Sequence, residues 1–132
     1  DEPTSGLDPS ERIRLKNFIV EMSHDRLIIL STHIVDDLTS IAKEIIILHN
    51  NKIAMDASET SLIEDLEGYV WECPYDLYLK IQSQNDILSK VYQKDSKDYI
   101  RLISKEKPFE MARAIKPSLD DVFLAVIKDF DL

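Results

Sequence analysis

Three stretches of the chain concentrate residue types that can do chemistry. The first is the opening run Asp1-Glu2-Pro3-Thr4-Ser5-Gly6-Leu7-Asp8-Pro9, where two carboxylates stand side by side. The second is Leu30-Ser31-Thr32-His33, followed by Ile34-Val35-Asp36-Asp37. The third is Lys116-Pro117-Ser118-Leu119-Asp120-Asp121-Val122-Phe123-Leu124. Carboxylates accept protons and hold hard divalent cations, and histidine changes charge near pH 7. Taken singly, each stretch has a plainer meaning: Asp1-Glu2 is solvated charge, His33 a histidine at a helix start, and Ser118 with Asp121 a helix cap. His24 and His49 have no motif around them and take no role. The lone cysteine, Cys73, reads as a small half-buried hydrophobe.

Composition narrows the chemistry. The chain has 132 residues, 16 Lys and Arg against 25 Asp and Glu, and a net charge of −9. An acidic surplus argues against nucleic-acid binding and against an electrostatic membrane anchor, since both need basic surface. Hydrophobic residues make up 44% and charged residues 31%, a globular rather than disordered balance. Only Gly6 and Gly68 occur, so neither G-x-G-x-x-G nor G-x-x-x-x-G-K-[ST] can be written in this chain. Any nucleotide chemistry therefore takes its phosphate cradle from elsewhere. One cysteine precludes an intrachain disulfide, and no signal peptide is visible, which points to a cytoplasmic setting. No apolar stretch approaches the roughly 20 residues of a membrane span.

The elements that must position these residues follow from local patterns. Residues 1–7 read as loop. Asp8, Pro9 and Glu11 read as a helix start, and Ile13, Phe18, Ile19 and Met22 carry helical spacing to about Ser23. Residues 26–31 are predicted to be a strand buried on both faces, and residues 33–43 a helix through Ile34, Leu38 and Ile41. Residues 44–49 and 52–57 are predicted to form a hairpin about Asn50-Asn51, because asparagine tolerates positive φ. Ser58 caps a short helix that ends at Gly68. Beyond it the pattern predicts a strand at 69–72, a helix at 75–82, and strands at 87–93 and 99–104 around the polar turn 94–98. An extended piece at 114–116 leads to a final helix capped by Ser118, with Leu119, Val122 and Phe123 packing on the two strands. The division falls at Gly68, giving an α/β part at residues 1–67 and a small α+β part at residues 68–132.

In order and in spacing, the three motifs resemble those of ABC-type ATPases. The opening run resembles the end of a Walker B motif entering the D-loop. Leu30-Ser31-Thr32-His33 resembles the switch-histidine segment, one helix and one strand further on. Its acidic pair is Asp36-Asp37, where glutamate is more usual. The run from Lys116 to Leu124 resembles the C-terminal signature of bacterial export-type members, which include bacitracin-resistance and other drug or lantibiotic exporters. The resemblance implies the C-terminal part of a P-loop NTPase core sheet followed by a small accessory domain.

The resemblance also implies roles. Asp1 would hold Mg²⁺ through water, Glu2 would polarise the attacking water, and His33 would contact the γ-phosphate of ATP. Ser5, Gly6, Leu7 and Asp8 would form the D-loop contact to a second ATPase subunit in a head-to-tail dimer. The partners implied are that subunit and a membrane-spanning permease at the inner face of the membrane, with no nucleic acid. The phosphate loop, glutamine loop and signature segment, which precede Walker B in the family, are not in the sequence. Together with a start at Asp1, this leads to the expectation of a C-terminal piece of an ATPase that is inactive alone and binds no cofactor. A second reading, of a different class, is a non-catalytic module for dimerisation or regulation. If the neighbouring strands of the core sheet are missing, residues 27–30 and 45–48 should either pair with each other or drive self-association.

Overall fold

The computed structural model describes residues 1–81 and 86–131. It is a mixed α/β fold, as expected from the sequence, and the described strands pair antiparallel in two sheets. Helix α1 (Pro9–Met22) begins where the residues dictate: the Asp8 carboxylate accepts the Ser10 and Glu11 amides at 2.8 and 2.9 Å. The Glu11 side chain closes the box on the Asp8 amide at 3.1 Å. Strands β1 (Ile45–His49) and β2 (Lys52–Ala57) form an antiparallel hairpin. Asn50 and Asn51 adopt φ of 50° and 59°, the left-handed pair that a two-residue turn requires. Helix α2 (Glu59–Asp65) starts at Ser58, whose hydroxyl accepts the Ser61 amide at 3.2 Å. Gly68 follows it at φ +87°.

The second sheet has the order β4-β5-β3-β6, from β3 (Val70–Pro74), β4 (Ile87–Lys94), β5 (Lys97–Ile103) and β6 (Arg113–Ala114). The β4–β5 turn is tighter than the sequence suggests: Asp95 and Ser96 alone make it, both at positive φ. Helix α3 (Tyr75–Ile81) and helix α4 (Leu119–Ile127) lie on opposite faces of this sheet. The predicted end of α3 at Gln82 lies outside the described residues. Strict alternation sorts the two faces. Val70 and Ile103 enter the larger core with Leu119, Val122, Ala125 and Val126. Cys73, Ile100 and Leu102 enter a smaller core with Tyr78 and Ala112. Cys73 is fully buried there, deeper than its sequence context suggests.

The larger core crosses Gly68. Ile45 and Ile47 of β1 and Leu62 and Leu66 around α2 pack with the α4 residues, so residues on both sides of the division share one interior. Leu119 and Val122 share this core with Ile103, and Ile87 and Phe123 lie against it, as expected for the last helix.

Two expected elements are not formed. Residues 26–30 make no strand, and Leu27 and Ile29 are 88% and 85% exposed. No strand among the described residues lies beside them, and a strand without a hydrogen-bonded neighbour has little to hold it extended and ordered. Nor do they pair with β1, whose partner is β2. The predicted helix at 33–43 is reduced to one 3₁₀ turn, Val35–Asp37. Its continuation is broken at Ser40, which takes φ +67° and gives its amide to Glu59 Oε2 at 2.9 Å.

Candidate catalytic site

The loop before α1 and the segment before the 3₁₀ turn are brought side by side. The Glu2 amide donates to the Ser31 carbonyl at 2.7 Å, and the Ser31 hydroxyl donates to Asp1 Oδ1 at 3.0 Å. Glu2 Oε1 receives the His33 amide at 2.9 Å and stands 2.7 Å from His33 Nδ1. Its other oxygen, Oε2, is shielded from solvent and has no hydrogen-bond partner among the described residues. The hydrogen bond from the His33 ring, joined by that from its amide, holds the Glu2 carboxyl below its usual range. With Nδ1 turned to Glu2, Nε2 is the ring nitrogen left for another contact. Asp1, Glu2 and His33, all selected from the sequence, thus meet in one place.

Glu2 sits at φ 47°, a left-handed conformation that costs a non-glycine residue about 1–3 kcal/mol. The surrounding bonds fix it there: the Ser5 amide reaches the Glu2 carbonyl at 3.1 Å, and the Leu7 amide reaches the Thr4 carbonyl at 3.1 Å. Gly6 supplies the φ of +78° that lets this loop turn into α1. Ser5, Gly6 and Asp8 are exposed and Leu7 is half-buried. Asp8 also spends its carboxylate on the helix cap, which lowers its pKa through the Glu11 and Ser10 bonds.

Three side chains that sequence reasoning left without a role complete the arrangement. Thr4 and Asp37 are 2% and 1% exposed, and the Thr4 hydroxyl donates to Asp37 Oδ2. Thr32 donates to the same oxygen at 3.2 Å and accepts the Ile34 amide at 3.0 Å. Lys16 of α1 reaches the Asp36 carbonyl, tying the helix to the 3₁₀ turn. The signal was present, since Thr4, Thr32 and Asp37 lie inside the two motifs. Spacing alone does not tell a buried carboxylate from a solvated one.

No protein-family model matches the chain. Similar curated proteins are nonetheless found. ATP-binding cassette sub-family A member 9 of Homo sapiens is 33% identical over 110 residues, covering 81% of this chain and 6% of that protein. ABC transporter A family member 5 of Dictyostelium discoideum is 29% identical over 134 residues, 99% of this chain and 8% of that protein. The energy-coupling factor transporter ATP-binding protein EcfA2 of Ligilactobacillus salivarius is 29% identical over 125 residues, 92% of this chain and 42% of that protein. The chain is homologous to ABC transporter ATP-binding proteins. It spans less than half the length of each of these three relatives. The fold is accordingly that of the C-terminal part of an ABC ATPase. Among the described residues no helix is long and apolar enough to cross a membrane.

Proposed function

We propose that the chain is the C-terminal part of the ATP-hydrolysing subunit of an ABC transporter, with Glu2 and His33 as its catalytic residues. The observation that carries this reading is the Glu2–His33 contact of 2.7 Å, made across 31 positions of sequence. In ATP hydrolysis the protein mainly orients the nucleophile and stabilises charge. Glu2 is the carboxylate that would polarise the attacking water, and its Oε1 is held in place by His33. His33 Nε2 is the group that would face the γ-phosphate.

Asp1 is the residue that would hold Mg²⁺. Its carboxylate and the adjoining Ser31 hydroxyl are hard oxygen donors, which suit that ion. Among the described residues no group of three or more His, Cys, Asp or Glu is placed to hold a metal ion by itself, and Mg²⁺ usually keeps several of its waters. When bound, Mg²⁺ supplies neutralisation of charge on the phosphate oxygens. Ser5, Gly6, Leu7 and Asp8 form the contact to a second ATPase subunit, and the exposure of Ser5, Gly6 and Asp8 supports this.

Residues 1–67 are the ATPase part and residues 68–132 an accessory part, a division of role within a shared core. The permease partner, the cytoplasmic face of the membrane and an export direction complete the reading. The export direction rests on the run from Lys116 to Leu124. The test is made in the full-length ATPase subunit. Glu2→Gln should retain ATP binding and lower turnover by about 10²–10⁴-fold, the usual worth of a general base. Parental turnover in that variant would remove Glu2 from the mechanism.

A further inference from the structure

We propose that Asp37 is a positioning residue that clamps the Glu2 loop to the His33 segment and so sets the Glu2–His33 pair. The proposal rests on the catalytic reading above but concerns geometry that can be measured without nucleotide.

Asp37 is 1% exposed, and a carboxylate so deeply placed needs hydrogen bonds to be tolerated. It has two, both to Oδ2: one from Thr4, two residues after Glu2, and one from Thr32, immediately before His33. Its Oδ1 has no hydrogen-bond partner among the described residues. The two bonds reach the two short segments that carry the catalytic pair. Thr32 extends the clamp, because its hydroxyl also accepts the Ile34 amide and so fixes the backbone on the far side of His33. The 3₁₀ turn that presents Asp37 is in turn held to α1 through Lys16 and the Asp36 carbonyl. Without the clamp, the Glu2 loop would keep only its bonds to Ser31 and His33, all at an exposed edge.

The test is NMR of this chain at neutral pH. In the parent, the His33 ring should show the tautomer protonated at Nδ1, and the His33 amide should be protected from exchange. Thr4→Val and Asp37→Ala should each turn His33 to a mixture of tautomers and speed its amide exchange by about tenfold or more. The amides paired between β3 and β5 should be unmoved. Thr4→Ser and Asp37→Asn keep a hydroxyl donor and an oxygen acceptor respectively, and should preserve both signals. The proposal is overturned if the His33 signals are unchanged in Thr4→Val. It is equally overturned if the exchange of β3–β5 amides rises together with that of His33, since the effect is then global unfolding. Because no nucleotide is present, this outcome is independent of the turnover of Glu2→Gln.

Discussion

Arg101 of β5 holds Asp121 of α4 in a forked ion pair, its Nε standing 2.9 Å from each carboxylate oxygen. Arg101 Nη2 adds a further bond to Asp121 and one to the Lys116 carbonyl at 2.7 Å. Ser89 donates to Asp121 Oδ1 at 2.7 Å, and the Ser118 amide and hydroxyl donate to Oδ2 at 2.7 and 2.8 Å. The carboxylate of the last helix thus binds the residue that caps that helix and the two strands β4 and β5, and through Arg101 it is tied to the approach to the helix. Ser118 and Asp121 close a capping box at the start of α4, and the Ser118 hydroxyl also lies within hydrogen-bond distance of Asp121 Oδ2.

Removing Asp121 should be strongly damaging to the fold of residues 68–132. Its side chain is 1% exposed and that of Arg101 18%. Asp121→Ala would strand the guanidinium, at a cost of about 3–5 kcal/mol. Urea unfolding of the two proteins measures the difference, and a loss below about 1 kcal/mol would contradict the role assigned.

The same pair sets a pH dependence. Burial by itself raises the Asp121 pKa, but the bonds from Arg101, Ser89 and Ser118 outweigh it and leave the value below the usual carboxylate range. A carboxyl with a lower pKa in the folded state stabilises the fold above its unfolded pKa, about 3.9. That contribution is lost as pH falls through the folded value. The melting temperature should therefore drop more steeply below about pH 4 in the parent than in Asp121→Asn.

Cys73 should be an inert thiol until the protein unfolds. Burial, with the charges of Asp86 and Glu72, pushes its pKa up to about 11. At pH 8 almost no thiolate is present, and the sulfur is closed to solvent. Alkylation should be slow in buffer and fast in denaturant, with mass spectrometry as the readout. Rapid labelling of the native chain would show that the smaller core opens readily.

The 132-residue chain should not bind Mg-ATP measurably. The backbone amides and lysine of a phosphate loop are not in its sequence, and the roles proposed for Asp1, Glu2 and His33 concern the terminal phosphate and metal alone. Isothermal titration should be flat. Saturable micromolar binding would show that another surface holds the nucleotide.

Copies of the chain should associate at micromolar concentration. Ile13 and Phe18 of α1 are 61% and 57% exposed, Leu48 of β1 is 70% exposed, and Leu27 and Ile29 are barer still. Apolar side chains left open in this number favour association. Sedimentation velocity should show a dimer or larger species, and Leu27→Lys with Ile29→Lys should shift it towards monomer. A parent that is monomeric at these concentrations would refute the expectation.

What the sequence determined by itself was local or lexical. The Asp8 cap, the Ser58 cap and the Asn50-Asn51 turn depend on atoms within four residues of one another, so residue type is enough to place them. The three motifs placed Asp1, Glu2 and His33 as candidates because their spacing resembles that of one family. The tertiary structure alone decided what depends on a distant partner. Residues 26–30 have the composition of a buried strand, yet a strand exists only where a neighbour supplies the other half of its hydrogen bonds. Asp37 and Asp36 are indistinguishable as letters. One is buried beneath two threonines and the other is exposed, because burial is set by which segments meet and not by the residue that is buried.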